Sequence, residues 1–342
     1  MTRPEPIQRT DDLRGDPFRE HNAPRARMRR SILGADIVFE SDSRGLMKLV
    51  ELAYGDLPEH RFSPDAPWLR IDLRVISRSE GIAADEPPPV QTHSGAGLLC
   101  GMMDACNYAV VVPAQRKALV VVSSDMLEQH PYHVRYELIE FAVFLLTSRV
   151  LSLVPLHGAC VGRGRRGVLL LGESGAGKST LSLHGWLQGL DFLAEDAVFV
   201  RPDDLLATGV GNFLHLRDEA CRFVHDERTR AWIRESPTIR RRSGVRKYEA
   251  DLRHGPGRLA ASPLTLTGIV LVSSRTASDP SRLLKPLPTE DIPALLAADQ
   301  PYATAQEGWT HFTYACQRLG MYRLERGRHP DDGVSALSAL LG

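Results

Sequence analysis

Between about residues 32 and 124 the apolar positions either alternate with polar ones or gather in short β-branched runs. Residues 35–39, 69–76, 109–112 and 118–123 are each bounded by turn-forming residues, which predicts strands. Glu86 and the three prolines after it mark a loop. The period changes after Tyr132. Val134, Leu138, Phe141 and Leu145 recur at helical spacing, predicting a helix to about Ser152 that stops before Pro155. Strands are then expected at 156–161, 167–171, 191–200 and 211–216, with a helix over 180–187 between the second and third. Farther on, the pattern predicts a helix over 218–233, strands at 246–252 and 267–272, helices at 288–298 and 301–315, a strand at 318–324 and a closing helix at 334–341. No segment repeats at a fixed period. Residues 1–30 are polar, rich in Arg and Pro, and without periodicity, so a disordered or loosely attached tail is expected.

The reading is an α/β protein: a mixed sheet flanked by helices over residues 131–342, behind a smaller β-rich region over 31–130. Its 342 residues suffice for two such units. Lys and Arg number 42 and Asp and Glu number 42, so no overall field directs the chain to nucleic acid or an anionic membrane. The basic clusters at 24–30 and at Arg240, Arg241 and Arg242 are short enough for solvated loops, with phosphate or acidic-substrate contact as the alternative. The five cysteines are odd in number and form no C-x-x-C pair, which argues against a zinc site and against a disulfide framework and fits a reducing cytosol. The richest apolar stretch, 138–156, contains Glu140 and Arg149 and reads as a buried helix followed by a strand, not a membrane span. The N-terminus lacks an apolar signal core, and a cytoplasmic location is expected.

Residues 172–180 read GESGAGKST and match G-x-x-x-x-G-K-[ST]. In that pattern glycines let backbone N–H groups wrap phosphate oxygens, the lysine reaches the β- and γ-phosphates, and the hydroxyl following it meets Mg²⁺. Gly172, Ser174, Gly175, Ala176, Gly177, Lys178, Ser179 and Thr180 are therefore the expected ATP-binding residues. The apolar run before them and the helical leucines after them supply the strand and helix that such a loop requires.

Transfer of a phosphoryl group also needs a carboxylate that orients or deprotonates the acceptor. Glu195 and Asp196 lie between apolar runs, where charged side chains need a purpose; the alternative is an acidic strand end in solvent. On an extended segment the two would point to opposite faces unless a bend intervenes, so one could meet a metal and the other an acceptor. His157 precedes Gly158 on the strand before the loop, and by itself such a histidine is more often a satisfied core residue than a catalyst.

The combination of His157-Gly158, the loop at Gly172, Gly189 and the acidic pair resembles the bacterial HPr kinase/phosphorylase family, firmly over about residues 157–196 and loosely over 130–340. The resemblance implies Mg²⁺ on Ser179 and near Asp196, Glu195 as general base on an acceptor hydroxyl, and His157 orienting that base. Glu195 stands where the family usually has aspartate, which leaves open which acid is the base. The family's downstream glycine-rich segment with a second metal-site glutamate is absent; residues 211–217 read GNFLHLR instead. That departure is similar to divergent HPr-kinase-related proteins outside sugar regulation, some of which accompany peptide-modification gene sets. Lys247 is a further candidate phosphate contact, or a solvated charge. The expected activity is an ATP- and Mg²⁺-dependent kinase acting on a Ser/Thr hydroxyl of a peptide or protein. A non-catalytic nucleotide-binding regulator and a P-loop NTPase are the alternatives. Ring assembly in the family leaves a homo-oligomer open.

Overall fold

A computed structural model describes residues 25–77 and 86–342 and shows a mixed α/β protein. The first sheet has seven strands: β1 (Ala26–Ile32), β2 (Ala35–Ser41), β3 (Trp68–Ile76), β4 (Gln91–Gly95), β5 (Leu98–Asp104), β6 (Asn107–Val112) and β7 (Lys117–Ser123). Their spatial order is β1-β2-β3-β7-β6-β5-β4, with β2, β3 and β7 parallel. Alternation decides the buried face: Leu69, Ile71 and Leu73 of β3 and Ala118, Val120 and Val122 of β7 all point into the core. Most of the expected tail lies outside the described residues, but its end does not. Ala26 to Arg30 belong to β1, paired antiparallel with β2, because the alternating arginines form ion pairs such as Arg27–Glu40 and Arg29–Asp36 along the sheet.

One helix in this region was not expected from the strand-like pattern. α1 (Arg44–Tyr54) starts at Ser43, whose Oγ accepts the N–H of Leu46, and buries Leu46, Met47, Val50, Ala53 and Tyr54 against the sheet. After β7 come α2 (Ser124–Gln129) and a helical run of α3 (Pro131–His133), a π-helical turn (Val134–Ile139) and α4 (Glu140–Val150), close to the helix anticipated there.

The rest of the chain holds β8 (Val154–Leu156), β9 (Ala159–Arg163), β10 (Arg166–Leu171), α5 (Lys178–Leu187), β11 (Asp191–Ala194), β12 (Val198–Arg201) and β13 (Leu206–Gly209). Next are β14 (Phe213–Leu216), α6 (Asp218–Cys221), α7 (Glu227–Glu235), β15 (Thr238–Arg240), β16 (Arg246–Asp251), β17 (Arg258–Leu259), β18 (Leu264–Thr276) and β19 (Leu284–Pro286). The chain closes through α8 (Ile292–Asp299), α9 (Trp309–Leu319), β20 (Met321–Arg326) and α10 (Pro330–Leu341). The central sheet runs β17-β11-β9-β10-β18-β13-β12-β8, with β20 parallel to β18 and β19 beside it. A separate three-stranded sheet, β14-β16-β15, stands next to it. Two expected elements are split. The strand foreseen over 191–200 breaks at Glu195 to Ala197, and the helix foreseen over 218–233 breaks into α6 and α7. The helix expected from Pro301 starts only at Trp309. No helix among the described residues is long and apolar enough to cross a membrane.

His60 joins the two large sheets. Its Nε2 faces the carbonyl oxygen of Ala260 at 2.9 Å, so that nitrogen carries the proton; its Nδ1 accepts from the Thr208 hydroxyl at 2.9 Å. The ring is 6% exposed, and burial depresses its pKa below the usual value, with the Ala260 carbonyl opposing. His60→Ala leaves two buried partners unpaired and is expected to destabilise the fold by about 2–4 kcal/mol at pH 8. Because the folded pKa is the lower one, this contribution is present above the unfolded value near 6.5 and falls away as pH drops toward the folded value. Urea unfolding of both proteins at pH 8 and pH 5 checks this: the gap should narrow at pH 5, and a constant gap would assign the loss to packing alone.

Candidate active site

The loop between β10 and α5 is shaped by its glycines. Gly172 has φ 126°, and a Cβ there would lie 2.6 Å from the Val272 carbonyl oxygen on the neighbouring β18. Gly177, at φ 112°, turns the chain into α5 and provides no side-chain cap. The first turn of α5 therefore opens with N–H groups lacking intrahelical acceptors, beside Lys178, Ser179 and Thr180, and the helix dipole adds positive potential there. A cleft of about 500 Å³ lies in front, and every residue from Ser174 to Thr180 lines it. His157, Asp196 and Lys247 line the same cleft.

Lys178 folds back on the loop, its Nζ donating to the carbonyls of Gly172 at 2.5 Å and Glu173 at 3.3 Å. Burial lowers its pKa, while the charges of Asp299, Asp196 and Glu195 work to keep the ammonium protonated. Ser179 Oγ donates to Glu195 Oε1 at 2.5 Å. The serine is thus paired with the first acid, whereas the expected metal set joined Ser179 with Asp196. The reason is backbone geometry. Asp196 has φ 67°, a left-handed turn reinforced by Ala197 N–H donating to Glu195 O at 2.9 Å. The turn ends β11, sends Glu195 inward toward α5 and leaves Asp196 at the cleft wall.

Behind Glu195 is a buried network whose composition alone does not announce it. His215 on β14 holds Nδ1 3.3 Å from Glu195 Oε2, and its Nε2 lies 2.7 Å from Tyr136 Oη and 3.3 Å from Glu249 Oε1. Burial disfavours an imidazolium, but hydrogen bonds to Glu195 and Glu249 outweigh it, so the pKa of His215 is raised. Arg135 donates to Glu249 Oε1 at 2.6 Å and completes the charge balance. Next to this network, burial pushes Glu140 up to about 7, against the pull of Arg135 and His215. Residues 211–217, singled out in the sequence only as a departure from the family pattern, therefore deliver a side chain that contacts Glu195. The available signal was a histidine within the fully buried run Phe213–Leu216.

Two arginines of the basic loop are paired, while Arg240 is exposed. Arg241 forms an ion pair with Asp196 Oδ2 and approaches His215 Nδ1 at 3.4 Å. Arg242 donates to Glu137 at 2.9 and 2.6 Å and to the Pro87 carbonyl. Burial raises the pKa of Asp196, but Arg241, then His215, Lys247 and His157, hold it below the ordinary carboxylate value. His157 is exposed and is not a core residue. Its Nδ1 is 3.1 Å from the main-chain oxygen of Asp196, not its carboxylate. Its own N–H is anchored by Gln300 Oε1 at 2.7 Å and by the Tyr302 hydroxyl.

Glu195, Asp196 and His215 each present a ligand atom within 4.8 Å of the others. With the Ser179 hydroxyl, the two carboxylates make an oxygen-rich set of the kind Mg²⁺ accepts. No protein-family model matches the chain, and no curated protein matches it. Among solved structures, the Hpr(Ser) kinase/phosphatase from Coxiella burnetii aligns over 54% of this chain and 96% of its own, at 13% identity and a TM-score of 0.24. A score that low establishes no common fold.

Proposed function

We propose that the chain is an ATP- and Mg²⁺-dependent phosphotransferase acting on a Ser/Thr hydroxyl of a peptide or protein. The observation that carries this reading is the Ser179–Glu195 hydrogen bond at the uncapped start of α5, with Asp196 on the wall of the same cleft. A phosphate-binding loop, a metal position and a separate acceptor-facing carboxylate are then within reach of one another. Ser179 and Glu195 would hold Mg²⁺, which when bound offsets charge on the β- and γ-phosphates. Lys178 would exchange the carbonyls of Gly172 and Glu173 for phosphate oxygens. Asp196 would orient the acceptor hydroxyl and take its proton late, a task a low-pKa carboxylate can perform when the transition state is loose. These roles reverse the order implied by the family resemblance. Residues 131–342 would form the catalytic unit.

One observation favours a binding-only regulator: the Arg241 pair occupies the Asp196 carboxylate. Transfer of labelled γ-phosphate from ATP to a panel of serine and threonine peptides separates the readings. Transfer supports the kinase; ATP binding without transfer to any peptide or to water supports the regulator.

His157→Ala is expected to lower turnover about tenfold with a near-normal ATP affinity, because the Asp196 turn loses its imidazole support. The ring is exposed, so the melting temperature should hardly move. A large stability loss with an unaltered rate would remove His157 from the site.

A further inference from the structure

We infer a second metal site, for a borderline cation such as Zn²⁺, formed by His184, His329 and Asp331. It does not rest on the phosphotransfer reading and shares no ligand with the Ser179–Glu195 position. His184 lies on α5, while His329 and Asp331 stand at the start of α10, so the site joins the loop's helix to the last helix of the chain. One donor atom from each of the three residues lies within 4.8 Å of the others.

The contacts of His329 do not close with a neutral ring. His329 Nε2 lies 3.2 Å from the carbonyl oxygen of Phe223, so that nitrogen must carry a proton. In the neutral ring Nδ1 is then a lone pair. It accepts the Asp331 N–H at 3.3 Å, yet it also faces Asp331 Oδ2 at 3.2 Å, acceptor against acceptor. His184 Nδ1 donates to Asp331 Oδ1 at 2.7 Å, and its buried Nε2 has no hydrogen-bond partner among the described residues. The His184 side chain is only 5% exposed. A cation between the carboxylate and the two imidazoles would replace the His184–Asp331 hydrogen bond and turn the His329–Asp331 approach into ligation.

The donor set selects the ion. Two imidazole nitrogens and one carboxylate oxygen are a common Zn²⁺ set with a further position for water, whereas Mg²⁺ prefers oxygen alone. Outer contacts are in place as well. Gln188 Nε2 donates to Asp331 Oδ1 at 2.6 Å, and His225 stacks on His329 with ring centroids 5.0 Å apart. Because His329 also lines the large cleft, the ion would sit at the cleft's rim and fix α10 against α5.

Titration of chelator-treated full-length protein with Co²⁺, followed by the visible ligand-field bands and then by Zn²⁺ competition, tests the site. One Co²⁺ per chain, displaced by Zn²⁺, is expected. Asp331→Asn and His329→Asn should each weaken binding at least about tenfold, and Glu195→Gln should leave it unchanged. Zn²⁺ at about a hundred times its dissociation constant should raise the melting temperature of the parent by about 5 °C and that of Asp331→Asn hardly at all. Asp331 is a half-exposed residue of the first helical turn, so its amide variant should fold where a His184 variant fails. Unaltered affinity in both Asp331→Asn and His329→Asn, absence of Co²⁺ bands, or loss confined to Glu195→Gln would each overturn the assignment.

Discussion

Lys178→Ala is expected to reduce phosphate transfer by about three orders of magnitude or more, the scale on which a preorganised charge against a developing anion contributes. The side chain already sits over the loop, 2.5 Å from the Gly172 carbonyl, so little reorganisation separates it from a phosphate oxygen. Burial alone would favour its neutral form, and three carboxylates around it oppose that effect. Alanine removes the charge and leaves the glycine-shaped loop intact, so the melting temperature should change by only a few degrees. Single-turnover transfer from labelled ATP, measured on protein of verified fold, provides the check. An unaltered rate would show that the loop is a turn without a nucleotide role.

The two acids should fail in different ways. Glu195→Gln removes the carboxylate that faces both Ser179 and the His215 ring, so the Mg²⁺ concentration for half-maximal activity should rise steeply. It should also lower stability by about 1–3 kcal/mol, since the buried His215 ring and the Ser179 hydroxyl lose a charged hydrogen-bond partner. Asp196→Asn should depress turnover by about a hundredfold or more while ATP affinity and Mg²⁺ dependence stay near normal. Rate against Mg²⁺ for both variants separates the roles. Were the dependences exchanged, the order implied by the family resemblance would hold instead; were both variants fully active, the pair would be structural.

Much of this site was legible in one dimension because its parts are local. The loop, the strand before it and the helix after it all lie within about twenty residues, and glycine spacing alone demands that shape. The acidic pair was also visible, since charge between apolar runs is costly without a purpose. What escaped was pairing over distance. Tyr136, Arg135, His215, Arg241 and Glu249 come together from the π-helical turn and the three-stranded sheet, and no local pattern links them. The direction of the two carboxylates was left open for a different reason. A strand period assigns them to opposite faces unless a bend intervenes, and the left-handed turn at Asp196 is such a bend. In the N-terminal half, α1 was obscured because strands dominate its surroundings, although Ser43 and the spacing of Leu46, Val50 and Tyr54 mark a helix once isolated.

His60 has a consequence for modularity. A residue from the first sheet's connecting segment satisfies a hydroxyl and a carbonyl that belong to the central sheet. Asn212 in turn donates to the carbonyl of Ala53 at 2.5 Å, and Arg253 to that of Gly55 at 2.8 Å. Each half therefore completes the other's polar interior, and the chain is not two transplantable cassettes joined by a linker. A segment starting at residue 131, though it contains the loop, the acidic pair and α10, would leave its inner wall as newly exposed surface.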